Sequence, residues 1–215
     1  VNAGGRADYY ETIPALYGNY IYENSKVEVE AGLRLEYVRV NYEVNPNHNT
    51  YKSDGYDYTQ PFPNVRLAYK INENNKLSVF FNRRVDRPNE VDIRIFPKYD
   101  EPELIKVGNP TLKPQFTTSV ELSYRHLWKS GSLYWAAYHR LTDGTITRIA
   151  TQAPNSIVLF NIFQNIGRSY NTGLELAWQQ DVAKFMSLNA SVNVYQNTIK
   201  AFSITNKYPI PTTYT

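Results

Sequence analysis

The sequence predicts an all-β protein, folded as an antiparallel up-and-down meander of about eight strands. Three observations support this fold class. Apolar and polar residues alternate with a period of two, turn residues separate the alternating segments, and no apolar run is long enough for a transmembrane helix. Between residues 27 and 37, for example, Val27, Leu33 and Leu35 occupy one face, whereas Glu28 and Arg34 occupy the other.

The same alternation places the strands at about residues 12–22, 27–42, 63–71, 76–85, 115–128, 132–142, 169–180 and 185–199. Pro14 weakens the start of the first strand, because proline lacks the N–H group that a sheet ladder needs. Long polar stretches at residues 45–60, 86–114 and 143–168 are predicted to be outer loops, and the other connections are short turns. We expect a single partial domain over residues 1–215, with every neighbouring strand pair antiparallel between residues 8 and 200.

Composition excludes several function classes. The net charge of +3 is too balanced for a dedicated nucleic-acid-binding protein. The absence of cysteine excludes a disulfide framework, a thiolate metal site and a thiol nucleophile. The three histidines lack metal-ligand spacing, and Asp100, Glu101 and Glu103 lie in a polar loop without a patterned base. We therefore predict no catalytic residue, no metal site, no cofactor and no enzymatic activity.

Strand length and face chemistry favour a membrane barrel over a soluble sheet. The strands approach the ~9–11 residues that cross a bilayer at a tilt. Short turns alternate with long loops, as in outer-membrane barrels, and aromatic residues cluster near the strand ends. The apolar face should then point to lipid, with Leu33, Leu35, Leu67, Val79, Val120, Leu122, Leu174, Leu188 and Val192. The opposite face should point to the lumen, with Arg34, Glu36, Arg66, Glu121 and Glu175.

One motif resembles a known family. Gly108-Asn109-Pro110-Thr111-Leu112-Lys113-Pro114-Gln115, followed by Val120-Glu121-Leu122-Ser123-Tyr124, resembles the Gly-Asn-Pro-x-Leu-Lys-Pro-Glu motif and the next strand of TonB-dependent outer-membrane receptors. Gln115 departs from the glutamate of that motif. Weaker similarities at residues 31–37, 62–70, 82–88 and 165–175 extend the resemblance over nearly the whole chain. The two prolines hold the preceding residues extended, which favours a structural role for the motif.

The resemblance implies a bacterial outer-membrane receptor with a barrel of about 22 strands around a plug. It also implies energy-coupled import of a nutrient, such as a metal chelate, vitamin, glycan or peptide. The implied partners are outer-membrane lipid, the rest of the barrel, the plug, the TonB complex acting through the plug region, and a surface-exposed substrate-binding lipoprotein. No plug or TonB-contacting segment is recognisable here. We therefore expect an internal slice of the barrel, in which residues Ala15–Tyr20 do not pair with residues Leu188–Val194.

Aromatic and basic residues of the predicted loops are the candidate ligand contacts: Tyr51, Tyr56, Tyr58, Arg84, Arg87, Arg94, Phe96 and Tyr99. Tyrosines that pack the loops and arginines that pair with wall carboxylates are the alternative interpretation of this set. Two other functions stay open at this point. One is a stand-alone eight-stranded outer-membrane barrel for adhesion or a structural role, and the other is a soluble carbohydrate-binding β-sandwich.

Overall fold

The computed structural model describes residues 7–46, 52–95, 98–101, 104–152 and 159–200. These residues form one eleven-stranded sheet and a single helical turn, α1 (Glu90–Ile93), between β5 and β6. The strands are β1 (Ala7–Thr12), β2 (Ala15–Glu23), β3 (Val27–Val44), β4 (Asp54–Asn72), β5 (Asn75–Asp86), β6 (Lys98–Glu101), β7 (Leu104–Val107), β8 (Gln115–Trp128), β9 (Gly131–Gln152), β10 (Leu159–Ala183) and β11 (Met186–Ile199). None of the described residues belongs to a helix long and apolar enough to cross a membrane.

The long strands follow one another in chain order as an antiparallel meander. β3, β4, β5, β8, β9, β10 and β11 pair in sequence, which confirms the all-β, up-and-down prediction for these strands. β1 and β2 both pair with β3, so that they form one edge strand interrupted at Ile13–Pro14. At that interruption the Tyr37 N–H donates to the Pro14 carbonyl, 3.1 Å away.

The sheet is open. β2 forms one edge and β11 forms the other, and within the described ranges no hydrogen-bonded register joins the two strands. The expectation that Ala15–Tyr20 and Leu188–Val194 do not pair therefore agrees with the described sheet. A closed eight-stranded barrel requires this pairing, so the open sheet instead resembles a slice of a wider barrel.

The prediction that all pairs are antiparallel is wrong at β7. β7 runs parallel to β10, from Leu104 opposite Leu159 to Val107 opposite Ile162. The predicted loop at residues 86–114 in fact contains α1 and the β6–β7 hairpin. The reason lies in β10, whose pairing with β11 ends at Ser169. β7 hydrogen-bonds to the edge of β10 that β11 leaves unpaired.

The other two loop predictions are wrong in part: strand occupies residues 54–60 of the predicted loop at 45–60, and residues 143–152 and 159–168 of the predicted loop at 143–168. β4 already begins at Asp54, β9 continues to Gln152 and β10 starts at Leu159. Much of the added length is rich in threonine, isoleucine and tyrosine, which favour strands although the segments are polar overall. The β9–β10 hairpin therefore projects far beyond β11 at one end of the sheet.

We call the two ends of the sheet the turn end and the loop end. Residues 24–26, 73–74, 129–130 and 184–185 connect strands at the turn end. The long connections lie at the opposite, loop end. In outer-membrane barrels the short turns face the periplasm and the long connections face the outside.

Cross-strand register separates the side chains into two faces. Directly opposed residues share a face, and Glu30, Arg66, Phe80, Glu121 and Tyr138 form one such row. We call this the charged face, and it also carries Arg34, Glu36 and Glu175. The opposite, apolar face carries the row Leu67, Val79, Leu122, Ala137, Leu174 and Val194.

The apolar face is uncovered. The leucines and valines of this row are strongly exposed, from 39% for Leu122 to 66% for Val194. The described strands form a single sheet, so that no second sheet packs on these residues as it would in a sandwich. A continuous exposed apolar surface of this kind marks contact with lipid or with another protein.

The apolar residues of β3 change face near Glu36. On the turn side of this point, Leu33 and Leu35 lie exposed on the apolar face. On the loop side, Val38 and Val40 are completely buried on the charged face, while alternate positions such as Arg39 are exposed. The loop-side half of β3 therefore has an ordinary buried core and a wet outer surface. This change of face indicates the level at which the surroundings outside the sheet change from apolar to aqueous.

A glycine with a left-handed backbone conformation lies within the β9–β10 hairpin. Gly144 of β9 has a φ of 66°, in the region that residues with a Cβ rarely adopt. Gly167 lies beside it on β10, and a Cβ added there would have no atom within 4 Å. Gly144 thus has a conformational requirement that Gly167 lacks.

We expect Gly144→Ala to lower the free energy of unfolding by about 1–2 kcal/mol, because the left-handed backbone is strained for alanine. Gly167→Ala is the matched control and should change it by less than about 1 kcal/mol. Urea titration of the refolded full-length protein in phospholipid measures both values. Equal effects of the two variants would contradict a conformational requirement for glycine at position 144.

The exposed apolar face also gives a direct test. Leu122→Arg should lower the free energy of unfolding in a bilayer by about 2–4 kcal/mol, because it places a charge at mid-bilayer depth. Ser123→Arg, on the charged face of the same strand, should have a smaller effect. The same titration in phospholipid measures both variants. A cost for Ser123→Arg at least as large as for Leu122→Arg would reverse our assignment of the faces.

Candidate functional site

Tyrosines, arginine and carboxylates converge at the loop end of the charged face. The register places Tyr58 opposite Val38, Tyr56 opposite Val40 and Tyr9 opposite Tyr42. The segment after β5 adds an arginine that reaches the same strands. We define the tyrosine–arginine cluster as Tyr9, Glu11, Glu36, Tyr56, Tyr58 and Arg87.

Ion pairs organise the centre of this cluster. The Glu36 side chain is only 5% exposed, and Arg87 Nη2 donates to its Oε2 over 2.5 Å. Arg34 Nε lies 2.6 Å from the other oxygen of this carboxylate. Arg87 Nε is 3.5 Å from Glu11 Oε1. A buried carboxylate is unfavourable unless it is paired, so the two arginines allow Glu36 to remain ionised inside the sheet.

The tyrosines form an aromatic surface beside these charges. The rings of Tyr56 and Tyr58 stack with centroids 6.3 Å apart, and Tyr58 meets Phe116 edge-on at 5.6 Å. Burial raises the pKa of Tyr9 and, more strongly, the pKa of Tyr56 above the ordinary tyrosine value. Both phenols lie on the loop side of the level near Glu36 at which the apolar residues of β3 change face. They stay protonated, so that each can donate a hydrogen bond.

Two polar atoms of the cluster make no hydrogen bond of good geometry among the described residues, although one of them, Arg87 Nε, is the atom that lies 3.5 Å from Glu11 Oε1. They are Tyr58 Oη and Arg87 Nε, and both atoms are buried. Leaving a buried polar group unpaired costs about 1–3 kcal/mol, so such atoms mark positions where another group can bind. The arrangement offers neutral donors and a cation next to stacked rings, which suits a ligand with acceptor oxygens and a flat or apolar part.

Of the remaining predicted ligand contacts, Arg84 and Arg94 do not join this cluster. Arg84 is exposed and lies 3.5 Å from Asp86, and Arg94 donates to both carboxylate oxygens of Glu90. The backbone of Tyr99 lies in β6. Tyr51 and Phe96 fall outside the described residues. Arg94 does border a cavity of about 200 Å³, which lies between α1 and the loop end of β1 and β3 and is lined by Tyr9, Tyr42, Val44, Ile93, Ile95 and Pro110.

Near the turn end, charges of the charged face pair within the wall. Glu28 lies 3.0 Å from Lys70 Nζ and 2.6 Å from Lys76 Nζ, and Arg66 Nε lies 3.3 Å from Glu30. Glu121 Oε1 accepts a hydrogen bond from Tyr134. Glu175 lies opposite Ala136 and Asn193. Within the described part of the chain, no three acidic or histidine side chains gather as a metal site would require.

The Asn-Pro-x-Leu-Lys-Pro motif anchors the long connection to the sheet. Asn109 Nδ2 donates to the Phe163 carbonyl of β10. In return, Asn165 accepts from the Lys113 N–H at 2.8 Å and donates to the Lys113 carbonyl at 2.7 Å. Leu112 is 1% exposed. These contacts support the structural interpretation of the motif.

Sequence reasoning missed Tyr9, Glu11 and Asn165. Asn165 belongs to the quoted Asn-Ile-Gly motif, so a signal was present, but nothing in that motif shows its partner Lys113. Tyr9 and Glu11 lie before the predicted start of the first strand. They lie opposite β3 because the edge strand continues as β1 on the N-terminal side of Pro14.

An open antiparallel sheet with one bare apolar face, one ion-paired face, short turns and long connections has the architecture of an outer-membrane β-barrel wall. A family model described as the outer membrane protein beta-barrel family matches residues 2–214. The chain belongs to this family, and its location is the bacterial outer membrane. No curated protein sequence matches it.

Solved structures of receptors and transporters share the fold. The copper transporter OprC is similar with a TM-score of 0.69 and 14% identity, covering 89% of this chain and 30% of OprC. The hemophore receptor HasR of Serratia marcescens, solved with HasA and heme, gives 0.65 and 15%, covering 89% of this chain and 34% of HasR. The FrpB iron transporter of Neisseria meningitidis gives 0.60 and 13%, covering 90% of this chain and 27% of FrpB.

This chain therefore spans about a third or less of each of these three proteins. The match over most of the chain confirms the predicted resemblance to TonB-dependent receptors at the level of the fold.

A double-mutant cycle tests the buried ion pair of the cluster. Arg87→Ala and Glu36→Gln should be coupled by about 1–3 kcal/mol in the free energy of unfolding, since removing either partner leaves the other buried and less well paired. The exposed pair Arg84→Ala and Asp86→Asn is the control, with an expected coupling of about 0–1 kcal/mol. Urea titrations of the four single and two double variants measure both couplings. Equal coupling energies in the two cycles would contradict the stabilising ion pair between Arg87 and Glu36 that the geometry indicates.

Proposed function

We propose that this chain forms part of the barrel wall of a TonB-dependent outer-membrane transporter that imports a nutrient, and that it is not an enzyme. The observation that carries the proposal is the opposed chemistry of the two faces. The bare apolar face suits lipid, while the opposite face carries paired charges that suit a watery or plugged lumen. The nutrient class is a metal chelate, a vitamin, a glycan or a peptide.

Within this transporter, the charged face lines the lumen. Arg34, Glu36, Arg66, Glu121 and Glu175 then lie inside the barrel, where they hold the wall together and meet a plug. The unpaired edges of β2 and β11 support this arrangement, because exposed N–H and C=O groups are very unfavourable in lipid. The rest of the same barrel supplies the strands that cover them. The TonB complex acts through the plug, and a surface-exposed substrate-binding lipoprotein is a further partner.

The tyrosine–arginine cluster is the ligand-contact region of this wall. It lies at the loop end, on the face assigned to the lumen, where a ligand arriving from outside first meets the barrel. Tyr58 Oη makes no hydrogen bond of good geometry among the described residues, and Arg87 supplies a positive charge beside it, which together suit an acceptor atom of the ligand. Tyr56 and Tyr58 add a ring surface for an apolar or planar part.

Growth and uptake assays test the transport role in the full-length protein. A deletion strain is compared with the complemented strain on limiting ferric chelates, heme, copper, cobalamin, oligosaccharides or peptides. We expect the complemented strain to gain growth on at least one of these sources, and to lose that gain when TonB is deleted. The proposal fails if growth never depends on the gene, or if the dependence survives without TonB.

On the identified source, Arg87→Gln should reduce uptake roughly tenfold, as expected when a charged hydrogen bond to a ligand is lost. Arg84→Gln, which alters the exposed arginine outside the cluster, should leave uptake within about twofold of the wild type. Heat-modified mobility of the purified protein shows whether each variant is folded. Equal uptake by two folded variants would remove the cluster from the ligand path without affecting the transport role.

A further inference from the structure

An open groove interrupts the apolar face between β8 and β11. Its floor is Ala137, which lies in register between Leu122 and Leu174, with Val194 next to Leu174 on β11. The groove has a volume of about 570 Å³, within the range of small-molecule sites. Leucine and valine side chains form much of its wall, and His139, Thr172, Tyr195 and Gln196 also line it. Because most of its lining surface is apolar, its chemistry suits a hydrocarbon chain.

A column of polar and aromatic side chains leads from this groove toward the loop end. His139 Nδ1 lies 2.7 Å from Thr172 Oγ1 directly above Ala137. The His139 ring lies 6.0 Å from the ring of Tyr170, and Lys200 Nζ lies 5.3 Å from the centre of that tyrosine ring. The column therefore ends in a cation held over an aromatic ring.

A second cation stands beside the first. The Lys200 N–H donates to the Arg168 carbonyl at 3.0 Å, so that the two residues are fixed as neighbours. The Arg168 side chain is 59% exposed, and its Nε is 2.5 Å from Asp143 Oδ1. Asp143 offsets one of the two positive charges. The end of the column keeps a net positive charge, which is complementary to a phosphate.

The cations lie at the depth of lipid headgroups. Gly131 starts β9 at the turn end, and Asp143, opposite Arg168, follows twelve residues later. At ~3.3 Å per residue and a tilt of ~45°, this length spans about 28 Å, close to the ~30 Å hydrocarbon thickness. The floor of the groove at Ala137 then lies near the bilayer midplane, and the column leads through the loop-side leaflet to Arg168 and Lys200 at its surface.

We propose that this part of the apolar face is a specific site for one phosphate-bearing lipid of the outer leaflet. One acyl chain fills the groove over Ala137, and the phosphate meets Arg168 and Lys200. The inference goes beyond the transport role, although it rests on the membrane orientation proposed above. It distinguishes β9–β11 from the remainder of the apolar face, which contacts lipid without charge selection.

Native mass spectrometry of the detergent-solubilised full-length protein, titrated with lipid A, tests this site. We expect a retained one-to-one adduct that phosphatidylcholine of matched concentration does not form. Arg168→Gln/Lys200→Gln should weaken lipid A retention roughly tenfold. The matched control Lys129→Gln/Lys184→Gln removes two cations from the turn end of the same strands and should leave retention unchanged.

Ala137→Leu tests the groove separately from the charges. It fills the floor without changing the charge and should also weaken lipid A retention several-fold, with heat-modified mobility showing that the variant is folded. Inorganic phosphate at millimolar concentration should not displace the lipid. Displacement by phosphate would indicate a bare anion site and overturn the proposal.

Equal retention of phosphatidylcholine and lipid A would also overturn the proposal, as would unchanged lipid A retention in Arg168→Gln/Lys200→Gln. A change of oligomeric state in Ala137→Leu would overturn it too, because it would mean that protein covers the groove. A failure here would leave the transport role intact if growth still depends on TonB.

Discussion

The pairing of every backbone polar group is the constraint on which this structure depends. A sheet that contacts lipid cannot leave N–H and C=O groups exposed, so each long strand must pair along its whole membrane length. This requirement explains why β1 and β2 remain in register with β3 on both sides of Pro14. It also explains why the β6–β7 hairpin returns to β10 where β11 ends. The same requirement makes the open edges of β2 and β11 informative, since only further strands can satisfy them in a bilayer.

Once the register is set, alternation distributes the chemistry of the wall. Charges on one face can pair with each other across strands, as Glu28 does with Lys70 and Lys76. These contacts connect residues that are more than forty positions apart in the chain, yet each needs only a strand and its neighbours. The cluster around Glu36 differs, because its arginine comes from the segment after β5 rather than from a paired strand. The site therefore depends on the position of the long connection as well as on the sheet.

The sequence was sufficient for the parts of the fold that alternation controls. The faces of Leu67 and Arg66, for example, follow from period two alone. It was insufficient where the surroundings change, because Val38 and Val40 carry the apolar signal on the opposite face from Leu35. The sequence predicts loops for polar strand segments such as residues 145–152, because their alternation is weak, although their pairing partner is the adjacent strand of the same hairpin. For the site, sequence identified Tyr56, Tyr58 and Arg87 as candidates, but the convergence with Tyr9 and Glu11 requires the register of the edge strand.

The change of face within β3 has an evolutionary consequence. Below that level, substitutions are judged by compatibility with hydrocarbon, so that the outward positions tolerate almost any aliphatic residue but few charges. Above it, the same strands obey the rules of a water-soluble domain, with the interior selected for close packing and the exterior for solubility. Whether a single mutation at an outward-facing position is neutral or damaging therefore depends on which side of this level the position lies. Recombination of related proteins should be tolerated best at this level, where the loop-end half of the strands could be exchanged while the embedded wall stays unchanged.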